Sequence, residues 1–280
     1  MVSSVHTLTR TWLTDLAGMQ KASEYTVRSI FQMDLVARPT DQDPVFIDKT
    51  LLVATSGAGY VTATDPITPT RLAELLGADV RLLSGEGDAA EWACLDAGLS
   101  LHMPPPANCI RLTGPPTSKA HSRAALIVDE LSLLARPHSR VLLVGAVGSL
   151  ISEMRRRGFD VIACDLDGTL QGTEVAGCLI PRGGADVTLG LLPDASAVIA
   201  TGMTIVNGTA DRLISRTRAL GIPLLIYAQS CVSIAARLAV RGIISAAVTE
   251  PWPNYFFPGE SALQVFRKEP DGRQLNISPI

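Results

Sequence analysis

The sequence predicts an α/β protein in which a Rossmann-like parallel-sheet domain follows a smaller α+β N-terminal lobe. Three observations lead there. Near-continuous apolar runs recur at 141–144, 161–164, 197–202, 222–227 and 242–248, and segments of helical spacing separate them. Runs that are apolar on both sides belong to strands covered on both faces, which is the condition of a parallel sheet. The first run ends at Gly145 with Gly148 three residues on, and the second ends at Asp165. Strand, glycine turn, helix, strand and terminal acid make half of a nucleotide-binding unit.

Taken in order, residues 10–33 carry Trp12, Leu13, Leu16, Met19, Val27, Ile30 and Phe31 at three- and four-residue intervals, which predicts a helix. Residues 38–44 are rich in turn formers. The β-type runs 45–47 and 50–55 flank Asp48 and Lys49 and suit a hairpin, and 56–64 continues as a strand opened by Gly57 and Gly59. The two glycines fit a bend better than a nucleotide loop. Residues 69–77 form a short helix with Pro near its start and Gly at its end, and 88–99 a second. The proline-rich passage 103–116 is expected to link the lobes, placing them at 1–115 and 116–280. An apolar helix over 126–134 leads into the strand at 141. Beyond Asp165, helices are predicted at Thr209–Leu220 and Val232–Val240, and an edge strand at 263–266.

Composition narrows the function classes. A chain of 280 residues with 47% hydrophobic and 18% charged side chains buries a substantial core. A net charge of −3 and pI near 5.8 leave no electrostatic footprint for nucleic acid. The Arg155, Arg156, Arg157 cluster reads as a solvated helix face. Mean hydropathy is +0.26, yet no run of about 18 apolar residues lacks a charge, so no membrane span is expected. The N-terminus does not resemble a signal peptide, and the five cysteines show no CxxC spacing. Reduced, buried thiols in a cytoplasmic protein follow, with no metal site, since four dispersed histidines offer no ligand spacing.

Ligands of open α/β sheets lie beyond the carboxyl ends of the strands, and this selects the candidate residues. Gly145, Ala146 and Gly148 let a ligand approach the backbone at a helix N-terminus. Asp165 is placed to accept ribose hydroxyls. Thr201, Gly202, Met203 and Thr204 follow the third strand and complete the cofactor set. The turn is GxxG, short of the GxGxxG of dinucleotide sites, which favours an adenosyl group over a pyrophosphate. S-adenosylmethionine (SAM) is therefore the expected cofactor. Trp252, Tyr255, Phe256 and Phe257, with Tyr227, offer faces for its sulfonium. Asn207, Tyr227 and Ser230 are the candidates for positioning the reacting amine. Transfer of a methyl or 3-amino-3-carboxypropyl group, including ring closure of SAM on its own amine, requires mainly orientation. The expected partner is a small molecule, with a homodimer left open.

Two further patterns compete. Asp165-Leu166-Asp167-Gly168-Thr169 resembles the DxDGT motif of haloacid-dehalogenase-type phosphatases, in which the first Asp is nucleophile and the second acid/base. No lysine between Thr201 and Arg267 and no later acidic pair supports it. The run T-G-M-T-I-V-N-G-T at 201–209, followed by a helix and I-P-L-L-I-Y-A-Q-S at 222–230, resembles the family described as "putative heavy-metal chelation". That resemblance, spread over residues 45–250, implies an enolase-N-terminal-like lobe before a Rossmann-like one, and a non-catalytic binder of metal complexes as the alternative function.

Overall fold

The computed structural model describes residues 3–16, 21–38, 40–41, 43–63, 65–83, 87–254 and 256–268. The chain opens with α1 (Val5–Leu16), which buries Val5, Trp12 and Leu13. The helix expected over 10–33 does not continue: β1 (Ser29–Ala37) is a nine-residue strand, and Met19 lies outside the described residues. Its apolar residues have helical spacing, but β1 is held as an arm of an antiparallel meander with β2 (Phe46–Ala54) and β3 (Ala58–Ala63). Tertiary pairing has overridden the local period. The hairpin expected at Asp48 and Lys49 is also absent, because both lie inside β2. They stand opposite Leu35 and Asp34, and Lys49 forms an ion pair with Asp34.

Two helices pack on the meander. α2 (Pro69–Leu75) starts as expected, with the Thr68 hydroxyl accepting from the Arg71 N–H and Pro69 in the first turn. α3 (Ala89–Ser100) is capped by Asp88 and is buried all round from Ala90 to Leu99. It can lie this close to β3 because Gly59 has no side chain. A Cβ there would stand 2.5 Å from the Ala97 nitrogen and nearer still to the Ala93 carbonyl oxygen. Gly59 therefore serves packing between strand and helix.

The rest of the chain builds one large sheet. In order come β4 (Asn108–Leu112), α4 (Pro116–Ser132), β5 (Arg140–Val144), α5 (Gly148–Arg156), β6 (Asp160–Cys164) and the small pair β7 (Glu174–Val175) and β8 (Cys178–Leu179). Then follow α6 (Ala185–Leu191), β9 (Ala197–Thr201), α7 (Met203–Val206), α8 (Thr209–Leu220), β10 (Leu224–Ala228), α9 (Val232–Val240), β11 (Ala246–Thr249) and β12 (Ser261–Phe266). The spatial order is β4-β12-β11-β10-β9-β5-β6. β6, β5, β9, β10 and β11 run parallel, and β12 is antiparallel to both of its neighbours. Numbered along the chain, the parallel strands lie in the order 2-1-3-4-5, with the reversal between β5 and β9.

Two expectations change here. The passage 103–116 is no free linker, since β4 within it pairs with β12 at the sheet edge. β12 in turn is not the edge strand, because β4 covers it. The two-residue period sorts the core: Val141 and Leu143 pack with α4 and α5, whereas Leu142 and Val144 face the other side. On that second side the core is continuous into the N-terminal lobe, joining Leu142, Val198 and Ile234 to Leu95, Leu51 and Trp12.

Candidate functional site

The order 2-1-3-4-5 puts the carboxyl ends of β5 and β9 at the point where ligands bind in such sheets. Gly145 leaves β5 with φ +105°, and its N–H donates to the Cys164 carbonyl at 2.8 Å. A Cβ on it would meet Thr201 Cγ2 at 2.5 Å and Oγ1 at 2.9 Å. Glycine is required both for the backbone angle and for contact with the end of β9. Gly202 is equally constrained: a Cβ there would collide with the Ser230 carbonyl, and its N–H donates to the Tyr227 carbonyl at 2.8 Å.

Asp165 follows β6 directly, half-exposed, and its carboxylate folds back on the turn. Oδ2 accepts the Ala146 N–H at 2.7 Å and Oδ1 the Asp167 N–H at 2.9 Å. Each oxygen keeps a lone-pair site for a further donor. Asp167 is closed in its own turn, accepting the N–H and hydroxyl of Thr169 at 2.8 and 2.7 Å. Asp48 of the N-terminal lobe faces this pair. Burial, and then the charges of Asp167 and Asp165, hold its carboxyl above the usual range.

The run 201–209 makes one compact turn. Thr204, buried, donates its hydroxyl to the Thr201 carbonyl at 2.8 Å, and Met203 opens α7 half-buried. Asn207 is exposed, and its Oδ1 accepts both the N–H and the hydroxyl of Thr209, so it braces the start of α8. Gly148 is the buried first residue of α5.

Asn207, Tyr227 and Ser230 do not converge. Tyr227 packs with α4 and α5, and the Arg123 guanidinium lies 5.2 Å from its ring centroid. One cation–π position on Tyr227 is thus already taken by the chain itself. Ser230 is 3% exposed, and its Oγ accepts the Thr62 N–H of β3 at 2.9 Å. The aromatic group forms without Tyr227: Trp252 stacks on Tyr60 at 5.2 Å and meets Phe257 edge-on at 4.2 Å. Phe256 is half-buried nearby in sequence, and Tyr255 lies outside the described residues.

Several polar residues at this edge escaped the sequence reading. Lys119, fully buried, donates to the carbonyls of Phe257 at 2.6 Å and Gly259 at 3.1 Å. Glu250, also fully buried, accepts from Gln229 Nε2 at 3.0 Å and Ser261 Oγ at 2.7 Å. Tyr60, whose hydroxyl is pushed up by burial, faces Thr62, Asn254 and Thr50. Lys119 and Arg123 share the i, i+4 phase of Ile127 and Leu131 on α4, so charges at core positions were the readable signal. Asp48 and Asp96 carry no local signal, and Asp43 shows locally only its turn with Thr40, because the groups these carboxylates act on at the sheet lie in the other lobe.

Beside Asp165, Leu166 lines a small crevice together with Val144, Thr188, Leu189, Thr209 and Leu213. Its volume, about 10 Å³, is at the limit of one water and far below the roughly 300 Å³ of a ligand pocket. No group of three or more His, Cys, Asp or Glu side chains among the described residues is arranged to hold a metal ion. Burial raises the thiols of Cys94 to about 12 and Cys164 to about 11, and that of Cys231 well above the ordinary value, which makes them poor ligands. No helix among the described residues is long and apolar enough to cross a membrane.

These features define a two-lobed, mixed α/β protein whose candidate site lies at the reversal point of a mostly parallel sheet. The family described as "Putative heavy-metal chelation" (DUF364) matches residues 129–225, a span that holds the GxxG turn, Asp165 and the run 201–209. Among solved structures, the chain is similar to a protein of unknown function from the DUF364 family of Desulfitobacterium hafniense DCB-2. The two are 13% identical, with 87% of each chain covered and a TM-score of 0.55. A DUF364 family protein of unknown function from Pyrococcus horikoshii is 10% identical over 92% of this chain and 97% of its own, with a TM-score of 0.47. No curated protein matches the chain. At 13% identity the first likeness shows the fold and nothing finer.

Proposed function

We propose that the chain binds a nucleoside-type small molecule, S-adenosylmethionine, at the β5–β9 edge and uses it for alkyl transfer within or onto a small molecule. The observation that carries this reading is the coincidence of the Gly145 turn, the Asp165 carboxylate and Thr201–Thr204 at one reversal point of the sheet. The donor set suits the ligand: Asp165 retains acceptor sites for ribose hydroxyls, and Leu166, 42% exposed, offers an apolar face for a base. The crevice as it stands does not hold an adenosyl group, so binding requires it to widen. The bound group would supply an electrophilic carbon next to a sulfonium. The chain would orient it, with Asp165 and Asp167 after β6 and Asp48 of the N-terminal lobe providing negative charge. Among the three positioning candidates Asn207 stands at the rim, while Tyr227 and Ser230 support the walls from within.

A second reading, binding of a metal complex, draws on the family description and on those same three carboxylates. With no ready group of protein ligands among the described residues, the metal would arrive already ligated. Equilibrium dialysis of the purified chain against labelled SAM, and separately against transition-metal ions and their chelates, tests both. Micromolar SAM binding that is lost in Asp165→Ala is the expected outcome. Uptake of a metal chelate without any SAM binding would replace the first reading by the second.

A further inference from the structure

We infer that Asp43 is a specificity-determining residue that keeps phosphorylated ligands out of the β5–β9 edge, so that the site takes nucleosides and cationic nucleoside derivatives. This rests on reading that edge as the ligand site. In doubly wound sheets a phosphate sits at the N-terminus of the helix after the first strand, on free backbone N–H groups. The equivalent helix here is α5, nine residues long, and the amides of Ala146, Val147, Ser149, Leu150 and Ile151 around its start are already engaged.

The Ser149 N–H donates to Asp43 Oδ1 at 2.9 Å, across 106 residues of sequence. The Ala146 N–H donates to Asp165 Oδ2 at 2.7 Å. Val147 donates to the Gly145 carbonyl, and Leu150 and Ile151 donate to that of Val147. Two of these acceptors are carboxylates, placed where a phosphate would have to lie.

Asp43 is firmly installed. It is 3% exposed, its Oδ2 accepts the Thr40 hydroxyl at 2.7 Å, and its N–H donates to the Thr40 carbonyl at 3.1 Å. Arg38 Nε holds its carbonyl oxygen at 3.3 Å. The cation that faces the same turn, Arg123, lies behind it with Nη2 at 3.5 Å from Ser149 Oγ and its guanidinium over Tyr227. It is thus engaged on groups of the chain itself. A phosphate must therefore either expel Asp43 or lie against two carboxylates. A ribose, a purine or a sulfonium meets neither obstacle.

Calorimetric titration of the full chain with adenosine, AMP and inorganic pyrophosphate tests the inference. The wild type is expected to bind adenosine at least about tenfold more tightly than AMP and to ignore pyrophosphate. Asp43→Ala, shown to be folded by circular dichroism, should close the gap between adenosine and AMP and acquire pyrophosphate binding. Asp43→Asn, which keeps the cap without the charge, should fall between them and serves if the alanine variant does not fold. Equal wild-type affinity for AMP and adenosine, or an unchanged ratio in a folded variant, overturns the role of Asp43. If neither adenosine nor SAM binds any of the proteins, the nucleoside reading has failed, and pyrophosphate then decides alone. Its gain in the variant sustains Asp43 as the anion's occupant, and its absence removes that role.

Discussion

The carboxylate of Asp96, on α3, accepts the backbone N–H groups of Ser233 at 2.8 Å and Ile234 at 3.2 Å, and so caps α9 from the opposite lobe. Burial pushes its carboxyl up to about 7 despite these hydrogen bonds. The folded chain therefore holds a proton that an unfolded carboxyl, with a pKa of about 3.9, has released. The stability linked to Asp96 is greatest below about pH 4 and falls, by up to about 1.4 kcal/mol per pH unit, until about pH 7. Asp96→Asn retains an acceptor for the two amides and removes this slope. Denaturant midpoints taken from about pH 5 to about pH 8 should show the variant gaining on the wild type as pH rises. Parallel curves would contradict the buried, proton-holding Asp96.

Ser230 supports structure before chemistry. Ser230→Ala leaves the Thr62 N–H without its acceptor in a buried contact between the lobes. A loss of about 1–3 kcal/mol is expected, read as a lower urea midpoint. SAM affinity of the folded variant should stay within about twofold of wild type, since a change of a few tenths of a kcal/mol is the scale of an indirect effect. A large affinity loss without destabilisation would instead put Ser230 in contact with the ligand.

Gly145→Ala meets two separate obstacles, the +105° backbone angle and the Thr201 side chain. Together they should cost about 2–4 kcal/mol. Adding Thr201→Ala frees the space but not the angle, so the double variant should recover only part of the loss. Full recovery in a double-mutant cycle would mean that the angle is not a constraint.

Thiol chemistry reports on the same packing. Cys109 is exposed, and Cys94, Cys164, Cys178 and Cys231 are buried. Alkylation of the native chain at neutral pH should label Cys109 rapidly and the others only after unfolding, as peptide mass spectrometry would show. Fast labelling of Cys164, whose thiol is raised to about 11, would mean that the crevice beside Leu166 opens often.

The Rossmann-like half was the legible part. Thr209–Leu220 and Val232–Val240 form helices with the bounds that their apolar spacing predicts, because each packs one regular stripe on a continuous strand. The N-terminal lobe was less legible. Ile30 and Phe31 fit a helical period as well as a strand, and only pairing with Val53 and Leu52 decides between them. In the candidate site, the placement of Gly145, Asp165 and Thr201 followed from strand order. The carboxylates of Asp43, Asp48 and Asp96 did not, since each acts on a residue of the other lobe and sequence proximity holds no trace of that. Tyr227 illustrates the period-two limit: it ends a predicted strand, but its face of the sheet points it to Arg123 rather than to Ser230.

The two caps that reach across the lobes, Asp43 on α5 and Asp96 on α9, set a limit on how this architecture can be taken apart. A fragment begun at residue 116 would expose the amides of both helix starts, leave β12 without β4 and strip one side of the shared core. Each lobe thus carries instructions for finishing the other. Such a chain should not tolerate shuffling of its halves as interchangeable cassettes, and any transplant of the sheet half would have to bring both aspartates with it.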